Sequence, residues 1–312
     1  MLSDILNIKY PLLMAPMFLV SNEDMMLAGL ENGITAAFPA ANYRTAGELS
    51  NAIKSLKSKT TNAFGVNIIV NRSNPRLKEE LNICISHKVD FIITSLGDPA
   101  QAIEACHKAG IFVFCDVTDM AYAHKVVQHG ADAIIAVNRD AGGHPGCFEG
   151  DVFLNELLKS FDIPVIYAGG VSNGKKFREV MDIGAAGASV GTLFLATNES
   201  PVSKEYKDAL VKYGSGDIVI TKKLSGAPLH VINTPYVKQI GMESNWMTRF
   251  LYRHKSFRRF LKKLAMKKGM KVLRQAAFSA TYKTVWVAGH AVDDIKDIKP
   301  VKERIDNLVK GA

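Results

Sequence analysis

The sequence predicts an α/β protein: a (β/α)8, or TIM, barrel with a helical insertion or lid after its eighth strand. Three observations carry this. Over the first 200 residues short apolar runs alternate with helix-length stretches in eight beats of about 20 to 30 residues each. The runs are apolar almost throughout, as parallel strands covered on both faces must be. The glycines gather at the ends of the last three runs. A doubly wound nucleotide-binding sheet would carry a GxGxxG turn after its first strand, where this chain has Ala15-Pro16-Met17.

The expected strands are Leu12–Met17, Ile34–Pro39, Ala63–Val70, Phe91–Leu96, Ile111–Val117, Ala133–Val137, Pro164–Ala168 and Ala188–Gly191. Helices are expected over Asn22–Asn32, Thr45–Ser58, Pro75–His87, Pro99–Ala109 and Met120–His129. Asn32-Gly33, Ala109-Gly110 and His129-Gly130 each place glycine after a helix and before a strand, a helix stop. The beat ends near Ser200. The expected organisation is a barrel over 1–200, a basic helical lid or insertion over 201–285, and a C-terminal helix over 286–312 that returns to the barrel. No internal repeat or low-complexity tract interrupts this order.

Composition bounds the function. The 312 residues are 47% hydrophobic and 22% charged, enough for a sizeable core and unlike disordered or fibrous chains. Four cysteines (Cys84, Cys106, Cys115, Cys147) form no CxxC pair, which excludes a zinc ribbon and points to reduced thiols in a cytoplasmic protein. No run reaches the roughly 18 apolar residues of a spanning helix. Tyr10–Val20 resembles a signal core, but it holds two prolines, Asp4 spoils the basic region before it, and no small-x-small site follows. His124 and His129 are five apart, off the spacing that puts two ligands on one helix face, so no metal site is expected.

The chemistry gathers in three glycine clusters at consecutive strand ends: Ala141-Gly142-Gly143-His144-Pro145-Gly146, Ala168-Gly169-Gly170-Val171-Ser172-Asn173-Gly174 and Val190-Gly191-Thr192. Glycine lets backbone N–H groups approach an anion, and the loops after barrel strands seven and eight commonly hold a phosphate. Thr192 adds a hydroxyl. His144, flanked by small residues, has an ordinary pKa near 6.5 suited to proton transfer. Asn67 is an amide inside an apolar strand and must find partners, or read the polar edge of a planar ring. Asn42, Arg44 and Arg72 follow strands two and three and could meet a substrate anion at the barrel mouth.

Together with Phe64-Gly65-Val66-Asn67, Ile163-Pro164-Val165-Ile166-Tyr167-Ala168-Gly169-Gly170 and Gly191-Thr192-Leu193-Phe194-Leu195-Ala196-Thr197-Asn198-Glu199-Ser200, these motifs resemble the nitronate monooxygenase (2-nitropropane dioxygenase) family. That family also includes FMN-dependent enoyl-acyl-carrier-protein reductases and NADH:quinone reductases. A weaker echo lies at Leu224-Ser225-Gly226-Ala227-Pro228. The resemblance implies a barrel holding FMN at its carboxyl face. It places Ala15, Pro16, Met17 and Asn67 along the flavin ring, with Gly142 and Gly143 approaching from the strand-six loop. Gly170, Ser189, Val190, Gly191 and Thr192 then hold the ribityl phosphate, and His144 is the active-site histidine. The chain departs from many relatives at Met14, Asp140 and Val137, where glutamine, glutamate and, in some nitronate oxidisers, a polar amide stand.

The activity expected first is oxidation of an alkyl nitronate with O2 to a carbonyl compound and nitrite. The alternatives are reduction of an enoyl thioester or a quinone with NADH or NADPH, and a flavin barrel that acts mainly by docking. A flavin-free isomerase or aldolase is disfavoured, because no lysine ends a strand where a Schiff base would need it. The net charge of +9 is local: Arg249–Arg274 holds eleven basic residues and no acidic one, so the rest of the chain carries −2. Phe257, Leu261 and Leu264 follow a helical period there. The segment reads as an amphipathic lid, or as a docking face for an acidic carrier protein or an anionic membrane surface. Without a recognition motif, nucleic acid is not expected. The substrate is a small molecule, and a homodimer is among the expectations.

Overall fold

A computed structural model describes residues 1–223, 227–241 and 285–310 of the chain. Eight parallel strands close into a barrel in chain order: β1 (Leu12–Met14), β2 (Thr35–Pro39), β3 (Phe64–Ile69), β4 (Phe91–Ser95), β5 (Phe112–Val117), β6 (Ala133–Val137), β7 (Val165–Ala168) and β8 (Gly187–Val190). The TIM barrel expected from the sequence is the fold. Closure is made by β1 on β8, with Leu13 opposite Ser189 and Met14 opposite Val190. β1 stops at Met14 rather than at Met17. Ala15 still donates to Val190 O, but Pro16 has no N–H to continue a ladder, and the chain leaves the sheet.

The helices between the strands are α2 (Glu23–Glu31), α3 (Ala46–Lys59), α4 (Leu77–Ser86), α5 (Ala100–Lys108), α6 (Met120–Gln128), α7 (Gly150–Ser160) and α8 (Gly174–Ile183), with α1 (Leu2–Leu6) before the barrel. Side chains of Asn22, Thr45, Asp119 and Asn173 accept from backbone N–H groups in the first turns and set these starts. The glycine stops all sit at positive φ, 83° at Gly33, 71° at Gly110 and 87° at Gly130.

Side chains alternate along each strand between two cores. Leu12, Phe64, Val66, Ile92, Val113, Ile134 and Val165 face the helices. Leu13, Ala37, Phe91, Ile93, Phe114, Ile135 and Ile166 fill the barrel interior, where Phe91 and Phe114 stack at 4.9 Å. α1 plugs the amino end of the barrel. Leu2 and Leu6 join the interior cluster, and Leu2 N donates to Ala186 O at 2.8 Å. Cys84, Cys106 and Cys115 are buried in the helix-facing core, whereas Cys147 is exposed.

After β8 come α9 (Thr192–Leu195) and α10 (Lys204–Lys212), then an antiparallel pair, β9 (Ile218–Thr221) and β10 (Leu229–Ile232), and α11 (Pro235–Ile240). The described part of this region is therefore mixed: the expected helix is joined by a two-stranded sheet, built from the β-branched runs Ile-Val-Ile-Thr and Leu-His-Val-Ile. The basic segment 249–274 and residues 224–226 of the weaker motif lie outside the described residues. The last helix, α12 (Val301–Val309), packs on α2, α8 and α9. Both Glu199 carboxylate oxygens accept from Val301 N, at 3.1 and 3.0 Å, and buried Arg304 donates to Ala196 O and Asp297 O. Among the described residues, no helix is long and apolar enough to cross a membrane.

Candidate active site

Above the Ile93–Phe114 layer, the same alternation turns Asn67 of β3, Ser95 of β4, Asp116 of β5 and Val137 of β6 into the barrel mouth. Three of these form a directed chain. Asn67 Nδ2 donates to Ile93 O at 3.2 Å and to Ser95 Oγ at 2.7 Å, and Ser95 Oγ donates to Asp116 Oδ2. Burial pushes the Asp116 carboxyl up to about 6, against the hydrogen bond from Ser95, which favours the ionised form. Of these, Asn67 alone stands out in the sequence. The signal for the other two is a serine and a carboxylate at the carboxyl ends of mostly apolar strands. Val137 packs against the interior cluster, so the β6 wall is apolar.

One wall of the mouth is the Ala15–Met17 turn facing β8. Beyond the Ala15–Val190 bond, a Cβ built on Gly191 would lie 3.5 Å from Ala15 Cβ and 3.8 Å from Met17 Sδ. The predicted Ala15, Pro16, Met17 and Gly191 are thus brought together. Ser189 is buried, and its position in β8 alternates with Val190, whose side chain joins the helix-facing core, so Val190 offers the mouth only its backbone. The turn is held from behind. Met17 N donates to Ser21 Oγ, Leu19 adopts φ 64°, and Asn42 bridges Leu19 N (2.7 Å) and Ser21 O (3.1 Å). Asn42 is a tether of this loop, while Arg44 and Arg72 are exposed.

The adjoining side, after β6 and β7, is built from glycine loops fastened by buried polar groups. Asn138, 1% exposed, donates from Nδ2 to Gly169 O at 3.1 Å and accepts from Asp140 N at 2.8 Å. Gly169 sits at φ 121°, and a Cβ there would fall 2.1 Å from Asn138 Oδ1. Gly142 is pressed against the chain end, where a Cβ would lie 2.9 Å from Gly289 N and 3.0 Å from Thr192 Oγ1. Gly289 N donates to Thr192 Oγ1 at 3.0 Å, which leaves the threonine O–H to donate elsewhere. At the start of α8, Asn173 accepts from Lys176 N, and Ser172 and Asn173 both donate to Asp294. The chain's own carboxylate thus sits at that helix start. The turns at Gly170 and Gly191 remain as candidates for an outside anion.

His144 stands exposed on the loop between β6 and α7, next to Gly143. Desolvation by the surrounding protein lowers its pKa below the ordinary histidine value, which favours the neutral ring. Two histidines without an assigned role in the sequence fasten this loop. His230 N donates to Gly143 O at 2.8 Å, and His230 Nδ1 lies 2.8 Å from Ala141 O. A carbonyl can only accept, so Nδ1 carries the proton. His290 packs edge-on to His230 at 5.0 Å, and its backbone N–H donates to Asp140 O. Both histidines come from segments more than 80 residues further along the chain, and no local pattern reveals the contact.

The mouth thus combines a rim that includes the small residues Ala15, Gly142 and Gly191, a polar floor whose Asn67 Oδ1 is left over by the two bonds of Nδ2, and glycine turns with a spare hydroxyl. That arrangement fits a flat, polar-edged ring carrying an anionic tail. Among the described residues, no group of three or more His, Cys, Asp or Glu could hold a metal ion.

The family described as nitronate monooxygenase matches residues 1–311. The chain is 27% identical to a (3aS,4S,5R,7aS)-5-hydroxy-7a-methyl-1-oxo-octahydro-1H-indene-4-carboxyl-CoA dehydrogenase of Rhodococcus jostii strain RHA1, over 100% of this chain and 95% of that protein. It is 27% identical to a probable nitronate monooxygenase of Staphylococcus aureus strain JH9, over 77% of this chain and 79% of that protein. Among solved structures it is similar to FabK from Thermotoga maritima, with a TM-score of 0.86 and 29% identity over 99% of this chain and 94% of that one.

Proposed function

The chain belongs to the nitronate monooxygenase family of flavin-dependent oxidoreductases, and on that premise we propose that it is an FMN enzyme that uses NADH or NADPH to reduce an unsaturated acyl thioester. The observation that carries the thioester reading is the apolar wall at Val137, which takes the place of the amide found in some nitronate oxidisers. The full-length likeness to a carboxyl-CoA dehydrogenase supports it. So does the eleven-cation segment 249–274, whose charge suits an acidic carrier or the phosphates of a coenzyme A tail.

Bound FMN supplies two-electron transfer. Ala15, Pro16 and Met17 line one side of its ring, and Asn67 reads the polar edge. Gly142 and Gly143 keep the β6 loop close. Gly170, Ser189, the Val190 backbone, Gly191 and Thr192 hold the phosphate. His144 hydrogen-bonds the thioester carbonyl as a neutral ring and steers the proton. Residues 1–200 carry this chemistry, and the C-terminal helix returns to the barrel, where it packs on α2, α8 and α9.

The second reading, oxidation of alkyl nitronates with O2, has the Staphylococcus aureus likeness in its favour. Anaerobic mixing of the FMN-loaded protein with NADH, NADPH and an alkyl nitronate, each alone, separates the two. Loss of the oxidised-flavin absorbance with a nicotinamide, reversed by an enoyl thioester, supports the reductase. Bleaching by the nitronate alone moves the activity to the second reading. A protein that takes up no FMN sinks both.

A further inference from the structure

We propose that Ser95 and Asp116 are positioning residues that act through Asn67, fixing which end of its amide faces the barrel mouth. The inference rests on the flavin reading above. The three residues occupy consecutive strands in one inward-facing layer, and their hydrogen bonds have one consistent direction. Asn67 Nδ2 has two hydrogens. One goes to Ile93 O and the other to Ser95 Oγ, so Oδ1 is the end left over. Ser95 has a single O–H, and it points at Asp116 Oδ2. Toward Asn67 the serine can therefore only accept. A flipped amide would set Oδ1 against two acceptors, Ser95 Oγ and Ile93 O, and lose both bonds.

Asp116 sets this direction. Ionised at pH 7, given a pKa of about 6, it is acceptor-only and holds the serine proton on its own side. An uncharged group there would let Ser95 turn its O–H toward Asn67 and let the amide flip. The relay thus presents a fixed acceptor to the mouth. A flavin carries the matching donor, an imide N–H between two carbonyls on its pyrimidine ring. The carboxylate also puts a negative charge beneath that edge, which disfavours the electron-rich reduced ring.

The test uses the full chain stripped of flavin and titrated with FMN, read by flavin fluorescence. The variants are Ser95→Ala, Ser95→Thr, Asp116→Asn, Asn67→Ala and the double Ser95→Ala/Asn67→Ala. Ser95→Ala is expected to weaken FMN binding about tenfold, Ser95→Thr to restore it, and Asp116→Asn to weaken it several-fold. The double variant should bind no worse than Asn67→Ala, because Ser95 acts through Asn67. The flavin midpoint potential should rise in Asp116→Asn, a change that a purely structural role would not produce. Ser95→Ala and Asp116→Asn proteins with wild-type FMN affinity and potential would overturn the proposal, as would losses in Ser95→Ala and Asn67→Ala that simply add. If the wild type itself binds no FMN, the flavin reading fails first. If it binds while the variants are unchanged, only the relay fails.

Discussion

The two halves of the barrel mouth are built by different means. Around β6, β7 and β8 the surface is backbone. Glycines sit in turns whose shape is imposed by buried Asn138 and by His230, Gly289 and His290, which arrive from remote parts of the chain. Around β3, β4 and β5 the surface is side chain, a single line of hydrogen bonds from Asn67 through Ser95 to Asp116 that crosses adjacent strands. The first half tolerates added atoms poorly at Gly142, Gly146 and Gly169, where a Cβ would fall 2.9, 2.1 and 2.1 Å from neighbouring atoms. The second tolerates changes of size better than changes of donor and acceptor. A mouth with one shape-determined wall and one polarity-determined floor is suited to clamp a planar group and read its edge.

The comparison can be broken most severely at the glycine side. His144→Ala should lower turnover by roughly 10²–10⁴-fold and leave FMN affinity nearly unchanged, read by steady-state kinetics beside a flavin titration. Turnover that survives would put the proton step elsewhere in the mouth. Next in size is Gly169→Ala. The residue sits at φ 121° and its new methyl would collide with Asn138 Oδ1. A loss of about 3 kcal/mol in denaturant unfolding is expected from strain and overpacking. An unchanged midpoint would show that this half is less rigid than its contacts imply.

The floor responds to charge instead. Asp116 has a folded pKa of about 6 against an ordinary 3.8, so between these values the folded state keeps a proton that the unfolded chain has released. Stability from this group is therefore full below pH 3.8 and falls as pH rises through about 6. Asp116→Asn should then stabilise the flavin-free protein at pH 8 by on the order of 2–3 kcal/mol and change little near pH 4. Thermal melts at the two pH values measure this, and equal shifts at both would show that Asp116 is not desolvated. The smallest effect is expected at the loop tether: Asn42→Ala removes the bonds to Leu19 N and Ser21 O. It should cost about 1 kcal/mol and loosen FMN several-fold. No change in affinity would mean that the Ala15–Met17 turn holds its shape without the tether.

The fold was legible because its signals are local. β6 runs from Ala133 to Val137 as expected, and the other seven strands differ from expectation only at their ends. The overrun of β1 into Ala15-Pro16-Met17 shows the limit, since apolar character continues where hydrogen bonding cannot. α1 and the β9–β10 pair were not legible. A five-residue helix and two four-residue strands are too short for their period to stand out, and each is held by contacts with remote parts of the chain. The site divides along the same line. Gly169, Gly170, His144 and Gly191 form contiguous motifs, whereas Ser95 and Asp116 are single polar residues 21 positions apart. They meet only because β4 and β5 pair with Thr94 opposite Cys115.

By itself, then, the sequence determined the eightfold alternation, the helix starts and stops, and the glycine turns that open backbone to a ligand. All are set by residues within a few positions of one another, where side-chain chemistry acts directly on φ and ψ. The tertiary structure alone decided which polar groups became neighbours. Barrel closure aligned Asn67, Ser95 and Asp116 in one half-buried layer, and docking of the 230 and 290 regions fastened the loop that carries His144. Burial shifts a pKa and fixes the direction of a hydrogen bond only after distant segments have excluded water, and no local pattern in a chain records that event.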